Sequence, residues 1–186
     1  MIDNLTFITG NAGKAAELQA FLNIAIKHIK LDLPEIQSLD LKEISSKKAE
    51  SAFSQISKPV LVEDVGLTFK SMGNLPGPFI KWFLTELKND GLCKLLAGFE
   101  DKSATANIIY TIYDGKQMTY FEGECEGTIS DLPRGENGFG WDQIFIPLGQ
   151  EKTYAQMSID EKNIVSHRGK ALQKLQQYFN DLGKNA

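Results

Sequence analysis

The chain has 186 residues with a formal net charge of −4, and 42% of its residues are hydrophobic. This length fits one domain or two closely fused lobes, and the apolar content can fill a core, which excludes a disordered chain. The negative charge argues against a bulk nucleic-acid binder, which needs a basic surface. It still permits a local positive pocket for a small anion.

The first predicted elements lie in LTFITGNAGKAAEL, residues 5–18, where a short β-rich run leads through a Gly-Asn turn into a helical pattern. Asn11 is predicted to cap that helix. The turn is not a Walker A loop, because too few residues separate its glycines from Lys14 and no Ser or Thr follows. Helical N–H groups and Lys14 could still bind phosphate, although an ordinary strand–helix turn with a solvated lysine is the commoner structure.

Three acidic residues follow predicted strands. A strand is predicted in AIKHIKLDL, residues 25–33, and is ended by Pro34, so that Glu35 follows it. Glu63 and Asp64 close the apolar run PVLVED, where we expect a second strand to end. Carboxylates at the carboxyl ends of strands are suitable ligands for magnesium. Each acid taken alone is also typical of a surface charge or a helix cap.

Two helices are predicted in the middle of the chain. The first is ISSKKAESAFSQIS, residues 44–57, which has apolar residues at helical spacing. The second starts after the rigid Pro-Gly-Pro turn at residues 76–78 and is expected to stop at Gly91. Near its start, Lys81 stands between Ile80 and Trp82. The Lys81 ammonium either reaches into a cleft, or the side chain belongs to an amphipathic helix, with its aliphatic part packed on the helix and its ammonium in solvent.

A β-hairpin is predicted around Asp114-Gly115, which separates two runs of alternating residues. The later stretch GENGFGWDQIF, residues 135–145, sets aromatic residues among glycines. Glycine lets the backbone approach a flat ligand, and an aromatic face can stack on a base. An aromatic-rich turn that covers the core is the alternative.

The C-terminal pattern predicts helix over about residues 158–182, with Ser158 and Glu161 as a capping box. On an unbroken helix, His167 would point away from the face that carries Lys162. Lys162, His167 and Arg168 can therefore face one ligand only if the backbone breaks or bends between them. His167 is either a proton donor or base reader, or an ordinary histidine on a helix surface.

The order of elements predicts an α/β fold, because strands and helices alternate early and a β-meander follows. We expect a mixed sheet that is split into two lobes, with a cleft between them as the ligand site. Cys93 and Cys125 show neither metal-like nor disulfide spacing and are predicted to be reduced thiols. No apolar run reaches membrane-spanning length, and the N-terminal segment MIDNLTF lacks the basic residues of a signal peptide. These features predict a soluble, cytoplasmic protein without a membrane partner.

Taken together, eight stretches in chain order resemble the inosine triphosphate pyrophosphatase family, especially its eukaryotic-type members. They are FITGNAGK, LDLPEIQ, VLVEDVGLTF, GNLPGPFIKWFL, LLAGFEDKSA, FGWDQIF, TYAQM and EKNIVSHRGKAL. The resemblance implies a single domain over residues 1–186, in which a long central mixed β-sheet is flanked by helices. It also implies a homodimer that uses Mg²⁺ to hydrolyse deaminated purine nucleoside triphosphates (ITP, dITP and XTP) to the monophosphate and pyrophosphate.

The resemblance also implies roles for individual residues. Those expected to bind the triphosphate are Thr9, Gly10, Asn11, Ala12, Gly13, Lys14, Lys48 and Lys81. Those expected at the metal are Glu35, Glu63 and Asp64, with Asp64 as the catalytic acid near metal and water. Those expected to receive the base are Phe139, Gly140, Trp141, Asp142, Lys162, His167 and Arg168. Many family members have a second lysine where this chain has Gly13, so its phosphate grip would depend more on backbone amides.

Two alternatives differ in function. A Maf-like nucleotide pyrophosphatase would share the general chemistry but prefer other bases, and it would lack the SHR and FGWD sequences. A non-enzymatic nucleotide sensor would bind a triphosphate without turnover. A nucleotide panel separates the first alternative, and pyrophosphate release with magnesium, compared with an EDTA control, separates the second.

Overall fold

The computed structural model describes residues 4–184. Its strands are β1 (Thr6–Ile8), β2 (Lys27–Ile29), β3 (Val60–Phe69), β4 (Pro76–Gly77), β5 (Ser103–Tyr113), β6 (Met118–Ile129) and β7 (Phe145–Pro147). Its helices are α1 (Ala12–Leu22), α2 (Leu41–Ile56), α3 (Ile80–Leu95), α4 (Ile159–Val165) and α5 (His167–Lys184). No helix within the described residues is long and apolar enough to cross a membrane.

The strands form a mixed sheet in the order β2-β1-β3-β5-β6-β7, with β4 paired to β3. β1 runs parallel to both of its neighbours, so that Phe7 lies between His28 of β2 and Leu61 of β3. β4 is antiparallel to β3, and β7 is antiparallel to β6. The predicted mixed α/β fold is therefore confirmed.

By its internal contacts the chain divides into two compact units. The first unit comprises residues 4–64, 108–122 and 171–184 of the described chain, and the second comprises residues 65–107 and 123–170. Strands β3, β5 and β6 contribute one part of their length to each unit. Each unit has its own hydrophobic core and is described separately.

One hydrophobic cluster of the first unit forms where α2 packs on β1 and β3, and its buried members are Ile8, Ala49, Ala52, Val60 and Val62. The first unit also buries Phe7, Leu18 and Leu22 outside this cluster. A hydrophobic cluster of the second unit is rich in aromatic residues. It includes Leu67, Phe69, Leu92, Leu96, Trp141, Phe145 and Tyr154.

Local sequence signals account for several element boundaries. The Asn11 side chain accepts a hydrogen bond from the Lys14 N–H at 3.1 Å and caps α1 as predicted. The predicted hairpin turn joins β5 to β6, where Asp114 Oδ1 accepts hydrogen bonds from the N–H groups of Lys116 and Gln117, each at 2.8 Å. The predicted capping box of α4 is also confirmed, with Ser158 and Glu161 bonded to each other's N–H groups.

Three predicted boundaries were wrong. β3 does not end at Glu63 and Asp64 but continues to Phe69, because the second half of the strand is anchored by its pairing with β4. β2 is limited to Lys27–Ile29, the residues that pair with β1, and ends before the predicted limit at Pro34. Helix α3 continues through Gly91.

The irregularity in α3 lies at Lys88 instead, where the backbone adopts φ 59° and ψ −179°. The next side chain explains it, because Asn89 Nδ2 donates to the carbonyl oxygen of Gly140 at 3.0 Å and to Gln143 Oε1 at 2.9 Å. These two hydrogen bonds fix Asn89 against the 140–143 segment. The helix therefore departs from regular geometry one residue earlier.

The helix predicted over about residues 158–182 is in fact two helices, which meets the condition for Lys162, His167 and Arg168 to face one ligand. Ser166 has an extended conformation, with φ −77° and ψ 155°, and separates α4 from α5. The close approach of the two helices needs glycine at position 169, because a Cβ there would lie 1.8 Å from the carbonyl oxygen of Asn163. The break leaves Lys162 on α4 and His167 and Arg168 on the first turn of α5.

Candidate active site

The two neighbouring acids of β3 bind two different lysines. Glu63 Oε1 lies 2.8 Å from Lys14 Nζ of α1, and Asp64 Oδ1 accepts a hydrogen bond from Lys48 Nζ of α2. Since successive side chains of a strand point to opposite faces, Glu63 and Asp64 are held on different sides of β3. The first unit thus contains two separate carboxylate–lysine pairs.

Asp64 shares its lysine with a second carboxylate. The Lys48 ammonium contacts Asp64 and also lies 3.6 Å from Glu35 Oε1, whose side chain is about half exposed. Burial raises the pKa of the Asp64 carboxyl above its usual value, although the charge and hydrogen bond of Lys48 act in the opposite direction. Among the described residues, the second carboxylate oxygen, Oδ2, is buried and has no hydrogen-bond partner. A buried carboxylate oxygen without a partner is costly and is suited to a ligand that supplies positive charge or a proton donor.

The oxygen atoms of Glu35 and Asp64 fit a divalent cation by their chemistry. Both are hard ligands of the kind that magnesium prefers, and Lys48 already draws them to one positive charge. Residues 4–184 contain no group of three or more His, Cys, Asp or Glu side chains placed to hold a metal by themselves. Magnesium commonly uses one or two carboxylates and completes its shell with water and substrate phosphates. The pair is therefore compatible with a metal that arrives with a phosphate ligand.

The turn from Thr9 to Lys14 presents backbone at the start of α1. The Thr9 N–H donates to the Ile29 carbonyl at 2.9 Å, and Thr9 Oγ1 accepts from the Asn11 N–H at 3.1 Å. Residues 10–13 are exposed, and Ala12 and Gly13 lie in the first helical turn, where N–H groups have no partner within the helix. Such a terminus attracts anions, and Lys14 lies next to it.

In the second unit, Asp142 and Lys162 form a buried ion pair. Asp142 Oδ2 accepts a hydrogen bond from Lys162 Nζ at 2.6 Å and another from the Phe139 N–H at 2.8 Å. Gly138 makes this possible, because it has φ 76° and a Cβ there would lie 2.1 Å from Asp142 Oδ2. Asp142 therefore fixes both the glycine-rich loop and the lysine of α4.

Aromatic rings surround this ion pair. The His167 ring stacks against both Trp141 and Tyr154, with centroid separations of 5.2 and 5.9 Å, and those two rings lie 6.1 Å from each other. Lys162 Nζ lies 5.3 Å from the ring centroid of Phe139, and Arg168 Cζ lies 5.6 Å from the same centroid. Phe139 remains 44% exposed, whereas His167 and Arg168 are buried. The cluster thus combines an accessible aromatic face with hydrogen-bond donors that are held rigidly around it.

The Ham1 family model matches residues 5–178 of this sequence. The chain belongs to the Ham1 family. It is 47% identical over 179 residues to a protein named inosine triphosphate pyrophosphatase 2 from Trypanosoma cruzi, covering 94% of this chain and 91% of that protein. It is 48% identical over 181 residues to inosine triphosphate pyrophosphatase from Yarrowia lipolytica, covering 95% of each. A solved HAM1 protein from Coxiella burnetii has a TM-score of 0.83 at 29% identity, covering 95% of this chain and 98% of that one.

The predicted site residues of this Ham1 family member fall into two groups. The first unit contains Thr9, Gly10, Asn11, Ala12, Gly13, Lys14, Glu35, Lys48, Glu63 and Asp64. The second unit contains Lys81, Phe139, Gly140, Trp141, Asp142, Lys162, His167 and Arg168. Lys81 is exposed in the first turn of α3, with Nζ 5.5 Å from the Trp82 ring centroid. It does not join the ion pair of Asp142 and Lys162.

Within the 139–142 segment, exposure separates two kinds of residue. Phe139 and Gly140 are exposed, whereas Trp141 and Asp142 are buried and contact His167 and Lys162. All four residues were predicted to contact the base. Their burial indicates that Trp141 and Asp142 support the residues that a ligand can reach.

Tyr154 was missed by the residue-level argument. Its ring is fully buried, stacks on His167 and lies 5.4 Å from Lys162 Nζ. Burial raises the pKa of its hydroxyl, and the nearby Cys125 thiol acts in the same direction. The available signal was the TYAQM stretch, which contributed to the resemblance without suggesting a role for this residue.

Proposed function

We propose that this Ham1 family member hydrolyses deaminated purine nucleoside triphosphates, such as ITP, dITP and XTP, to the nucleoside monophosphate and pyrophosphate. The observation that carries the proposal is Asp64, a buried carboxylate with an unpartnered oxygen beside Lys48 and Glu35. The identities of 47% and 48% to proteins named inosine triphosphate pyrophosphatases support the substrate class.

The triphosphate is assigned to the lysines and to the start of α1. A nucleoside triphosphate carries about four negative charges, and cleavage between its α and β phosphates adds charge to the leaving pyrophosphate. Lys14 and Lys48 of the first unit, Lys81 of the second and the exposed amides of Ala12 and Gly13 would offset that charge. This assignment gives these lysines the role of a local positive site in a chain whose net charge is −4.

Magnesium would be held by Glu35 and Asp64. The chemistry that it supplies when bound is partial neutralisation of the phosphate oxygens. Lys48 lies between these two carboxylates and keeps them close together without the metal. Glu63 was predicted as a third ligand, but its carboxylate forms an ion pair with Lys14.

Asp64 is proposed to act on the attacking water. Oδ1 is bonded to Lys48, so Oδ2 is the oxygen available to orient a water and accept its proton. The water oxygen then bonds to the α-phosphorus, and the bond to the bridging oxygen breaks. Pyrophosphate leaves with the electron pair of that bond.

The base is assigned to the aromatic cluster of the second unit. Inosine and xanthosine carry a carbonyl at the six-position of the purine, where adenosine carries an amino group. Arg168, His167 and loop N–H groups can donate to a carbonyl but not to an amine. A buried donor that loses its partner costs free energy, so the wrong base is penalised.

A nucleotide panel tests this proposal. Pyrophosphate release is measured with ITP, XTP, ATP, dUTP and dTTP, each in magnesium and in EDTA. Release from ITP and XTP that needs a divalent ion is expected, with little from ATP. A preference for dUTP or dTTP would support the Maf-like alternative, and binding of ITP without release would support a nucleotide sensor.

We also propose that the protein is a homodimer in the cytoplasm, as the resemblance implies. Light scattering on the purified full chain measures the mass directly, and the dimer predicts twice the 20.7 kDa of one chain. A mass that stays at one chain across the working concentration range would contradict the dimer. Fractionation of source cells tests the location.

A further inference from the structure

Glu63 and Lys14 form an ion pair, of which the proposed function assigns a role only to the lysine. The Glu63 side chain is 3% exposed and that of Lys14 is 27% exposed, and their charged atoms are 2.8 Å apart. Burying a carboxylate is unfavourable unless a partner offsets its charge. Lys14 supplies that charge and still remains accessible to solvent.

The pair fixes both ends of Lys14. Its backbone N–H donates to the Asn11 side chain at 3.1 Å, and its ammonium is held by Glu63 of β3. A free lysine side chain samples many rotamers, so an anchored ammonium loses less entropy when it binds a phosphate. Glu63 thus holds the Lys14 ammonium in one position, from which it can bind a phosphate.

The same geometry separates Glu63 from the carboxylates that fit a metal. Asp64 and Glu35 share Lys48, whereas Glu63 precedes Asp64 directly in a continuous strand and pairs with Lys14. Adjacent residues of a strand point to opposite faces. A metal bound by Asp64 and Glu35 therefore lies on the other side of β3 from the Glu63 side chain.

We propose that Glu63 is a positioning residue, which holds the Lys14 ammonium for the triphosphate and takes no part in binding the metal. This inference rests on the proposed function, because it assigns Lys14 to the phosphates. It replaces the expectation that Glu63 is a metal ligand.

The inference predicts a separation of kcat from KM. Replacing Glu63 by Gln frees the Lys14 ammonium, so its alignment in the transition state is lost and kcat falls. The freed ammonium loses more entropy when it binds the phosphates, whereas removal of a nearby negative charge favours their binding, so the two effects on KM oppose each other. We therefore expect kcat to fall about tenfold or more, with KM for ITP little changed.

A double-mutant cycle tests whether Glu63 acts through Lys14. The full chain is prepared as wild type, Glu63→Gln, Lys14→Met and the double variant, with Glu50→Gln as the matched control on an exposed glutamate. We expect the double variant to be no slower than Lys14→Met alone, because Glu63 has no ammonium to position once Lys14 is replaced. Glu50→Gln should match the wild type. Thermal unfolding checks that each variant folds.

Binding of Mn²⁺ alone, followed by electron paramagnetic resonance, supplies a readout besides activity. Glu63→Gln should bind Mn²⁺ as the wild type does, whereas Asp64→Asn should bind it more weakly. Equal weakening in both variants would overturn the inference, as would an unchanged kcat in Glu63→Gln or a further loss in the double variant. Should Glu63→Gln not fold, Glu63→Asp keeps the charge on a shorter side chain and is expected to show the same pattern at smaller size.

These outcomes are distinct from failure of the proposed function. A wild-type protein that hydrolyses ITP while Glu63→Gln is equally fast contradicts only the role of Glu63. A wild-type protein that releases no pyrophosphate from any tested nucleotide contradicts both.

Discussion

In the first unit, Lys48 and Glu35 remain 14% and 49% exposed beside Asp64, whereas in the second unit Lys162 and Asp142 are only 7% and 6% exposed. The two aspartates also differ in the number of hydrogen bonds that their Oδ2 atoms accept. Asp64 Oδ2 has no hydrogen-bond partner among the described residues, but Asp142 Oδ2 accepts two hydrogen bonds. Each unit therefore contains a lysine–carboxylate pair. The pair in the second unit is more buried, and one of its carboxylate oxygens accepts more hydrogen bonds.

This difference indicates different roles. A partly exposed cluster with an unused oxygen can bind phosphate, metal or water without first breaking a complete set of bonds. A buried pair whose carboxylate oxygen accepts two hydrogen bonds is expensive to disturb and fixes the residues around it. Under the proposed function, the cluster of the first unit would bind the reacting phosphates, and the pair of the second unit would hold the base-binding residues in one shape.

The largest expected effect is on turnover in the first unit. Asp64→Asn should lower kcat about a thousandfold or more, because the amide cannot accept the proton of the attacking water. The fold should survive, since the substitution removes a buried charge whose pKa burial has raised. Pyrophosphate release and thermal unfolding measure the two effects.

The matched control for Asp64 is Asp32→Asn, at an exposed position of the same unit. It should keep wild-type turnover. A normal rate in Asp64→Asn would remove this residue from the mechanism and with it the contrast between the two clusters.

The second effect is on stability in the second unit. Asp142→Asn leaves the Lys162 ammonium buried without a counter-charge and should cost about 3–5 kcal/mol of unfolding free energy. Urea denaturation measures it. Glu50→Gln, in the exposed pair with Lys47, is the control and should give no measurable change. Equal midpoints for Asp142→Asn and the control would show that the buried pair does not stabilise the cluster.

The third effect is on the choice of base. Arg168→Ala should lower the ratio of kcat/KM for ITP over ATP about tenfold or more, because a donor to the six-position carbonyl is lost. Arg168→Lys keeps a donor and should retain more of the preference. Lys170→Ala removes an exposed cation from the same turn of α5 and serves as the control. An unchanged ratio in Arg168→Ala would exclude this residue from base selection.

The smallest effect concerns the helix that carries Lys162. Ser158→Ala removes the side chain that accepts the Glu161 N–H at 3.2 Å and should cost about 1 kcal/mol. Ser54→Ala, at an exposed position of α2, should leave the unfolding free energy nearly unchanged. If both variants unfold at the same urea concentration, the Ser158 cap of α4 does not contribute to the free energy of unfolding.

Local signals made part of this structure predictable. Asn11, Ser158 and Asp114 act on N–H groups within three residues of themselves, so their caps and turns could be inferred from the sequence. The break before His167 followed from the sequence only on the condition that Lys162, His167 and Arg168 face one ligand, since the helical pattern by itself predicted a helix over about residues 158–182. The structure places that break at Ser166.

Distant partners account for what could not be predicted. The length of β3 depends on β4, and the irregular turn at Lys88 depends on hydrogen bonds from Asn89 to the 140–143 segment. The partner of Glu63 is a lysine 49 positions away, and the partner of Asp142, which lies in a turn, is a lysine of α4 that is 20 positions further along the chain. Such pairings are set by tertiary packing, which composition and spacing do not encode locally.

The most direct test of the account identifies the products formed from ITP. Full-length protein is incubated with ITP and magnesium, and phosphorus NMR follows the phosphates as they appear. The account predicts IMP and pyrophosphate in equal amounts, with no IDP at any time. Formation of IDP and orthophosphate, or an unchanged ITP spectrum, would contradict it.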